Sequence, residues 1–77
     1  MPPREGSVMD DDQRETVNQL FAAATAMIED MIETAVAGQS PRLTPSQLAE
    51  HGQFLLAAAR DLVIVARAVS IIAKSSN

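Results

Sequence analysis

An all-α fold, an antiparallel two-helix hairpin that self-associates into a four-helix bundle, is predicted for this chain by three observations. Apolar residues supply 47% of the sequence while aromatics supply only 3%. The hydrophobic stock is therefore Ala, Leu, Ile, Val and Met, which suits close-packed helices better than a strand-rich core. Two long stretches keep the three-and-four spacing of a helical face, and a short Gly/Ser/Pro segment parts them. The second stretch is apolar around most of its circumference, more than one neighbouring helix can cover.

The elements follow in order. Residues 1–9 hold two prolines and a glycine without sustained periodicity, and read as a flexible leader ahead of a single domain over residues 10–77. Met1 to Ser7 have no apolar stretch behind Arg4, so no secretory signal is read there and a cytoplasmic location is expected. Asp10, Asp11 and Asp12 put negative charge where a helix leaves N–H groups unpaired, and Asp12 with Glu15 has the spacing of a capping box. The first helix is expected over about 10–37. Its apolar residues Val17, Leu20, Phe21, Ala24, Met27, Ile28, Met31 and Ala35 mark one face, with Asn18, Thr25, Glu29 and Glu33 opposite. Gly38 is expected to close it in the left-handed conformation, and residues 38–44 form the loop.

Thr44, Pro45 and Gln47 give the second helix an N-cap, a proline at its first position and the partner that completes a capping box. It is expected over about 45–74. Gly52 is its weak point, since an interior glycine costs about 1 kcal/mol against alanine, and a break there stays open as an alternative. Two helices of similar length joined by so short a loop make an antiparallel hairpin.

On the second helix Leu48, Leu55, Leu62 and Val69 recur every seven residues, with Gly52, Ala59, Ala66 and Ala73 as a second heptad series between them. Large and small side chains alternating along one seam let helices approach closely. Phe54, Ala57, Ala58, Ile64, Val65, Ala68, Ile71 and Ile72 make another apolar face, and only Gln53, Arg60, Arg67 and Lys74 form a continuous polar stripe. The expected self-association interface is Leu48, Gly52, Leu55, Ala59, Leu62, Ala66, Val69, Phe54, Val65 and Ile72. Its burial is worth on the order of 10 kcal/mol at about 25 cal/mol per Å², against binding costs of roughly 4 to 15 kcal/mol. Size argues the same way. At 77 residues, with no cysteine and one histidine, a chain without disulfide or metal staples is marginal alone, and oligomerisation is the remaining staple.

Charge is unevenly placed. Residues 1–36 hold eight acids and two bases and residues 37–77 two acids and four bases, within an overall formal charge of −4. Such halves suit antiparallel packing, though surface pairs contribute only about 0 to 1 kcal/mol each.

No cluster specifies a chemistry. Residues 54–73 are largely apolar, but Arg60, Asp61 and Arg67 would each cost about 2.5 to 3.5 kcal/mol in a bilayer centre, and the thin basic stripe disfavours peripheral attachment. Glu29, Asp30 and Glu33 fall within one turn, yet no Glu-x-x-His accompanies them around His51, and a solvated acidic face is the plainer reading. His51 has no nucleophile motif beside it, and Gly6, Gly38 and Gly52 are isolated, so no phosphate loop exists. Asp61, set between Phe54, Ala58, Val65 and Ala68, reads either as a paired register-setting carboxylate or as exposed at a seam.

The resulting expectation is a non-catalytic interaction or oligomerisation module, a small regulator or adaptor. It takes no cofactor and no small-molecule substrate, and its partner is itself, as a dimer, or another helical protein. Nucleic-acid binding through Arg60, Arg67 and Lys74, doubled in a dimer, is the alternative. The net acidity and the lack of stacking aromatics weigh against it.

Overall fold

In a computed structural model that describes residues 9–75, the chain is two α-helices packed on each other, α1 (Asp11–Ala37) and α2 (Pro45–Ser75), joined by residues 38–44. Except for Met9, the expected leader lies outside the described residues. At about 1.5 Å per residue, the 27 residues of α1 and the 31 of α2 give rods of roughly 40 and 46 Å.

The N-terminus of α1 is capped two residues earlier than the expected Asp12–Glu15 box implied. Asp10, in extended conformation, accepts the Gln13 N–H on Oδ1 at 2.7 Å, while the Gln13 side chain accepts the Asp10 N–H at 3.4 Å. Asp12 therefore lies inside the first turn, and the expected Asp12–Glu15 box does not form. Both Asp11 and Asp12 still face the positive end of the helix dipole.

The other end departs further from expectation. Gly38 has φ −67° and ψ −13°, a right-handed conformation open to any residue, and its N–H donates to the Thr34 carbonyl at 2.9 Å. The next two amides, of Gln39 and Ser40, reach the carbonyls of Val36 and Ala37 at 3.1 and 3.2 Å. The helix thus winds down through three-residue turns that satisfy its last carbonyls, and no left-handed residue is needed.

The start of α2 matches its signal. Gln47 N–H donates to Thr44 Oγ1 at 3.1 Å, and Thr44 N–H to Gln47 Oε1 at 2.9 Å. Gly52 does not break the helix, which runs unbroken to Ser75, one residue past its expected end.

Half-buried residues trace the contact line. On α1 and its C-cap they include Gln13, Val17, Leu20, Ala24, Met27, Met31, Thr34 and Gly38; on α2, His51, Leu55, Ala58, Leu62, Val65, Val69 and Ile72. Both series step by alternating fours and threes, the spacing of an antiparallel coiled-coil seam. A Cβ on Gly38 would lie 4.0 Å from His51 Cδ2, which anchors the register at the loop. Carried down the hairpin, it sets Met31 level with Ala58, Met27 with Leu62, Ala24 with Val65, Leu20 with Val69 and Val17 with Ile72.

Two expectations are corrected here. Leu55, Leu62 and Val69 face α1 while Leu48 is exposed, and their companions are Ala58, Val65 and Ile72; of the series Gly52, Ala59, Ala66 and Ala73 only Ala59 is half-buried. Turning valine and isoleucine inward buries more apolar area than turning glycine and alanine inward. Nor is α1 one-faced, because Phe21 and Ile28 point away from α2, 57% and 43% exposed, and Ile32 and Val36 are exposed beside them.

Candidate functional site

No described residue of the hairpin is buried, and the described residues of the single chain form no core. The exposed large apolar residues, with the charges around them, are therefore the features with functional content. Their arrangement follows from the contact line.

On α1, Phe21, Ile28 and Ala35 lie to one side of that line and Ala23, Asp30 and Ala37 to the other. On α2 the corresponding groups are Gly52, Ala59, Ala66 and Ala73, and Phe54, Asp61 and Ala68. In an antiparallel pair, matching sides of the two helices fall on the same face. A cleft lined jointly by Met27, Asp30, Phe54, Ala57, Ala58 and Asp61 fixes which sides coincide, and a second, lined by Thr34, Glu50, His51 and Phe54, lies on the same face near the loop.

The two faces of the hairpin differ in charge. One carries Asp12, Asp30, Glu33, Glu50 and Asp61, all exposed, and no basic residue. The opposite face carries Asn18, Phe21, Thr25, Ile28, Ile32 and Ala35 from α1. From α2 it has Ala49, Gly52, Leu56, Ala59, Val63, Ala66, Ser70 and Ala73, so no charge lies between its ends. Thr25 returns its hydroxyl to the Phe21 carbonyl at 3.0 Å, leaving no free donor on that face from this residue. The outer edge of α1 holds Glu15 and Glu29; that of α2 holds Gln53, Arg60, Arg67 and Lys74, all exposed.

The residues expected at the interface are thereby divided. Leu55, Ala59, Leu62, Val65, Val69 and Ile72 are half-buried along α1, whereas Leu48, Gly52, Phe54 and Ala66 are exposed. The large residues Phe21, Ile28, Ile32, Leu56 and Val63 were not assigned to an interface from sequence. The signal for them was present in α1, where Phe21, Ile28 and Ile32 follow the same three-and-four spacing offset by one position from the Val17–Leu20–Ala24 series. A space around Gly52 points the same way, since a Cβ there would meet nothing within 4 Å.

The other candidates resolve by position. Arg60, Arg67 and Lys74 stand on one edge at steps of seven residues, roughly 10.5 Å apart along the axis, flanked by Leu56, Val63, Ile64 and Ile71 and by no aromatic ring. Glu29 lies on the outer edge of α1, apart from Asp30 and Glu33 on the acidic face. Among the described residues no group of three or more His, Asp or Glu side chains is placed to hold a metal ion. His51 is half-buried under the loop, its Nδ1–H donating to the Gln47 carbonyl at 2.8 Å. Asp61 is exposed at the rim of the cleft it shares with Asp30. Among the described residues no helix is long and apolar enough to cross a membrane.

These features define a helical hairpin with one uncharged and one acidic face. No protein-family model, curated protein sequence or solved structure matches the chain.

Proposed function

We propose that this chain is a non-catalytic protein–protein interaction module, a small regulator or adaptor whose working form is a homodimeric four-helix bundle. One observation carries the reading: none of the described residues is buried in the single hairpin. A folded domain that leaves Phe21 57% and Ile32 56% exposed has apolar area still to remove from water, and stacking a second hairpin supplies the missing layer.

The test is the mass of the purified chain by light scattering after size exclusion, across a hundredfold range of concentration, with circular dichroism on the same fractions. A helical dimer is expected, dissociating to monomer on dilution. A monomer that stays fully helical at the highest concentration refutes the proposal.

The exposed edge Arg60–Arg67–Lys74 supports the second reading, nucleic-acid binding. Five carboxylates on the adjoining face oppose phosphate at a distance. Titration of a labelled single-stranded RNA at low salt is expected to show no binding; tight, steeply salt-dependent binding lost in Arg60→Ala/Arg67→Ala would replace the interaction reading.

A further inference from the structure

The dimer reading leaves open which faces meet and how the hairpins are oriented, and charge, side-chain size and register answer together. Self-pairing through the acidic face would bring ten carboxylates, five from each copy, toward one another without a basic residue between them, and like charges brought into a desolvated interface are strongly disfavoured. The uncharged face meets no such penalty. About 40 Å long and two helices, roughly 20 Å, wide, it offers about 800 Å² per partner, the area of a standard stable interface.

Two orientations are compatible with two-fold symmetry about an axis lying between the apposed faces. With the axis across the helices, α1 lies on the partner's α1 and α2 on the partner's α2. Phe21, Ile28 and Ile32 would then stack on their own copies in one half of the interface, while the other half held Leu56 and Val63 as its large residues among Gly52, Ala59, Ala66 and Ala73. The basic edge of α2 would also run beside its own copy. With the axis along the helices, α1 lies on the partner's α2, and both loops fall at the same end.

An axis along the helices preserves axial level, so the register within the hairpin also sets the register between copies. Phe21 then lies level with the gap between the partner's Ala66 and the partner's Ser70. Ile28 faces the gap between the partner's Ala59 and the partner's Val63, and Ala35 the gap between the partner's Gly52 and the partner's Leu56. Each α1 residue thus meets a site with at least one small neighbour, the knobs-into-holes condition. At the flank of the same contact, Glu29 stands level with the partner's Arg60 and Glu15 with the partner's Lys74. Opposite charges meet at both levels on each of the two equivalent seams.

Resting on the dimer proposed above, the geometry points to a second copy of this chain on the uncharged face, α1 against the partner's α2, loops at the same end, with Glu29–Arg60 and Glu15–Lys74 as intersubunit ion pairs. The acidic faces turn outward, and Arg60 and Lys74 are engaged within the dimer.

The chain has no cysteine, so Ser40→Cys in the loop gives one site for a spin label. Pulsed electron resonance on the labelled dimer is expected to give a short separation, about the 20 Å width of the bundle; loops at opposite ends would give roughly 40 Å and overturn the arrangement. Charge reversal tests the pairing. Glu29→Lys and Arg60→Glu, each alone, are expected to weaken dimerisation about tenfold, and the double variant to recover it. If Arg60→Glu alone tightens the dimer, the basic edges were adjacent, and the inference falls while dimerisation stands. Absence of any dimer in the unaltered chain defeats both, and the mass measurement reads that outcome separately.

Discussion

Phe21 distinguishes a hairpin that is complete from one that is half of something larger. In the single chain its ring is 57% exposed, and it touches the solvent side of α1 away from α2. If the hairpin is complete, Phe21→Ser changes a surface position, and such changes fall within about 0.5 kcal/mol. If the uncharged face is buried in a dimer, the exposed share of a ring burying about 200 Å² is about 115 Å², worth roughly 3 kcal/mol per protomer at about 25 cal/mol per Å². Two rings leave the interface of each dimer, so the dissociation constant is expected to rise by several orders of magnitude, of which even half, about 3 kcal/mol, is more than a hundredfold. Sedimentation equilibrium on both proteins reads the dissociation constant, and thermal melts at several concentrations read its consequence for stability. Unchanged mass and unchanged melting in Phe21→Ser would refute burial of this face.

Three further outcomes follow from the same geometry. Thr44→Ala removes the hydroxyl that accepts the Gln47 N–H at 3.1 Å and is expected to cost about 1 kcal/mol in a denaturant titration, while Thr44→Ser keeps the cap and is expected to leave stability unchanged. Gly38→Ala is expected to be tolerated, and to stabilise by up to about 0.5–1 kcal/mol, because its backbone is right-handed and the added Cβ meets Thr34 O and Ala35 O at 3.4 and 3.5 Å, ordinary contact; a left-handed cap would have made the same change costly. Val65→Ala is expected to lower stability by about 1–2 kcal/mol through lost contact with α1, whereas Ala66→Gln should leave helicity intact and reduce the mass to that of a monomer. If Ala66→Gln unfolds the hairpin and Val65→Ala does not, the contact line has been drawn one residue out of place.

Local signals located the elements, and local physics explains why. Thr44, Pro45 and Gln47 act within four residues, so their cap could be read without knowledge of anything distant. The acidic run at the head of α1 reads as an Asp12–Glu15 box, and the structure forms Asp10–Gln13 instead. That box starts the helix at Asp11 and places Asp12 in its first turn. Gly38 misled for a related reason: a glycine after a helix permits the left-handed cap but does not require it, and three-residue turns satisfied the same carbonyls.

The sequence by itself determined that there are two helices, where they begin, that they are joined by seven residues, and that their combined apolar surface exceeds what one hairpin can hide. Those properties depend on residue type, capping and spacing along the chain. Only the tertiary structure decided which apolar series each helix spends on the other. With three heptad series on α2 close in direction around the axis, a small rotation exchanges Ala66 for Val65 at the seam, and the choice rests on the area α1 can bury against each. That rotation also decided that Phe21 and Ile28 share a face with Gly52, Ala59 and Ala66, and that the carboxylates of Asp30 and Asp61 gather on the other. The pairing of faces belongs to two helices at once, and neither periodicity alone contains it.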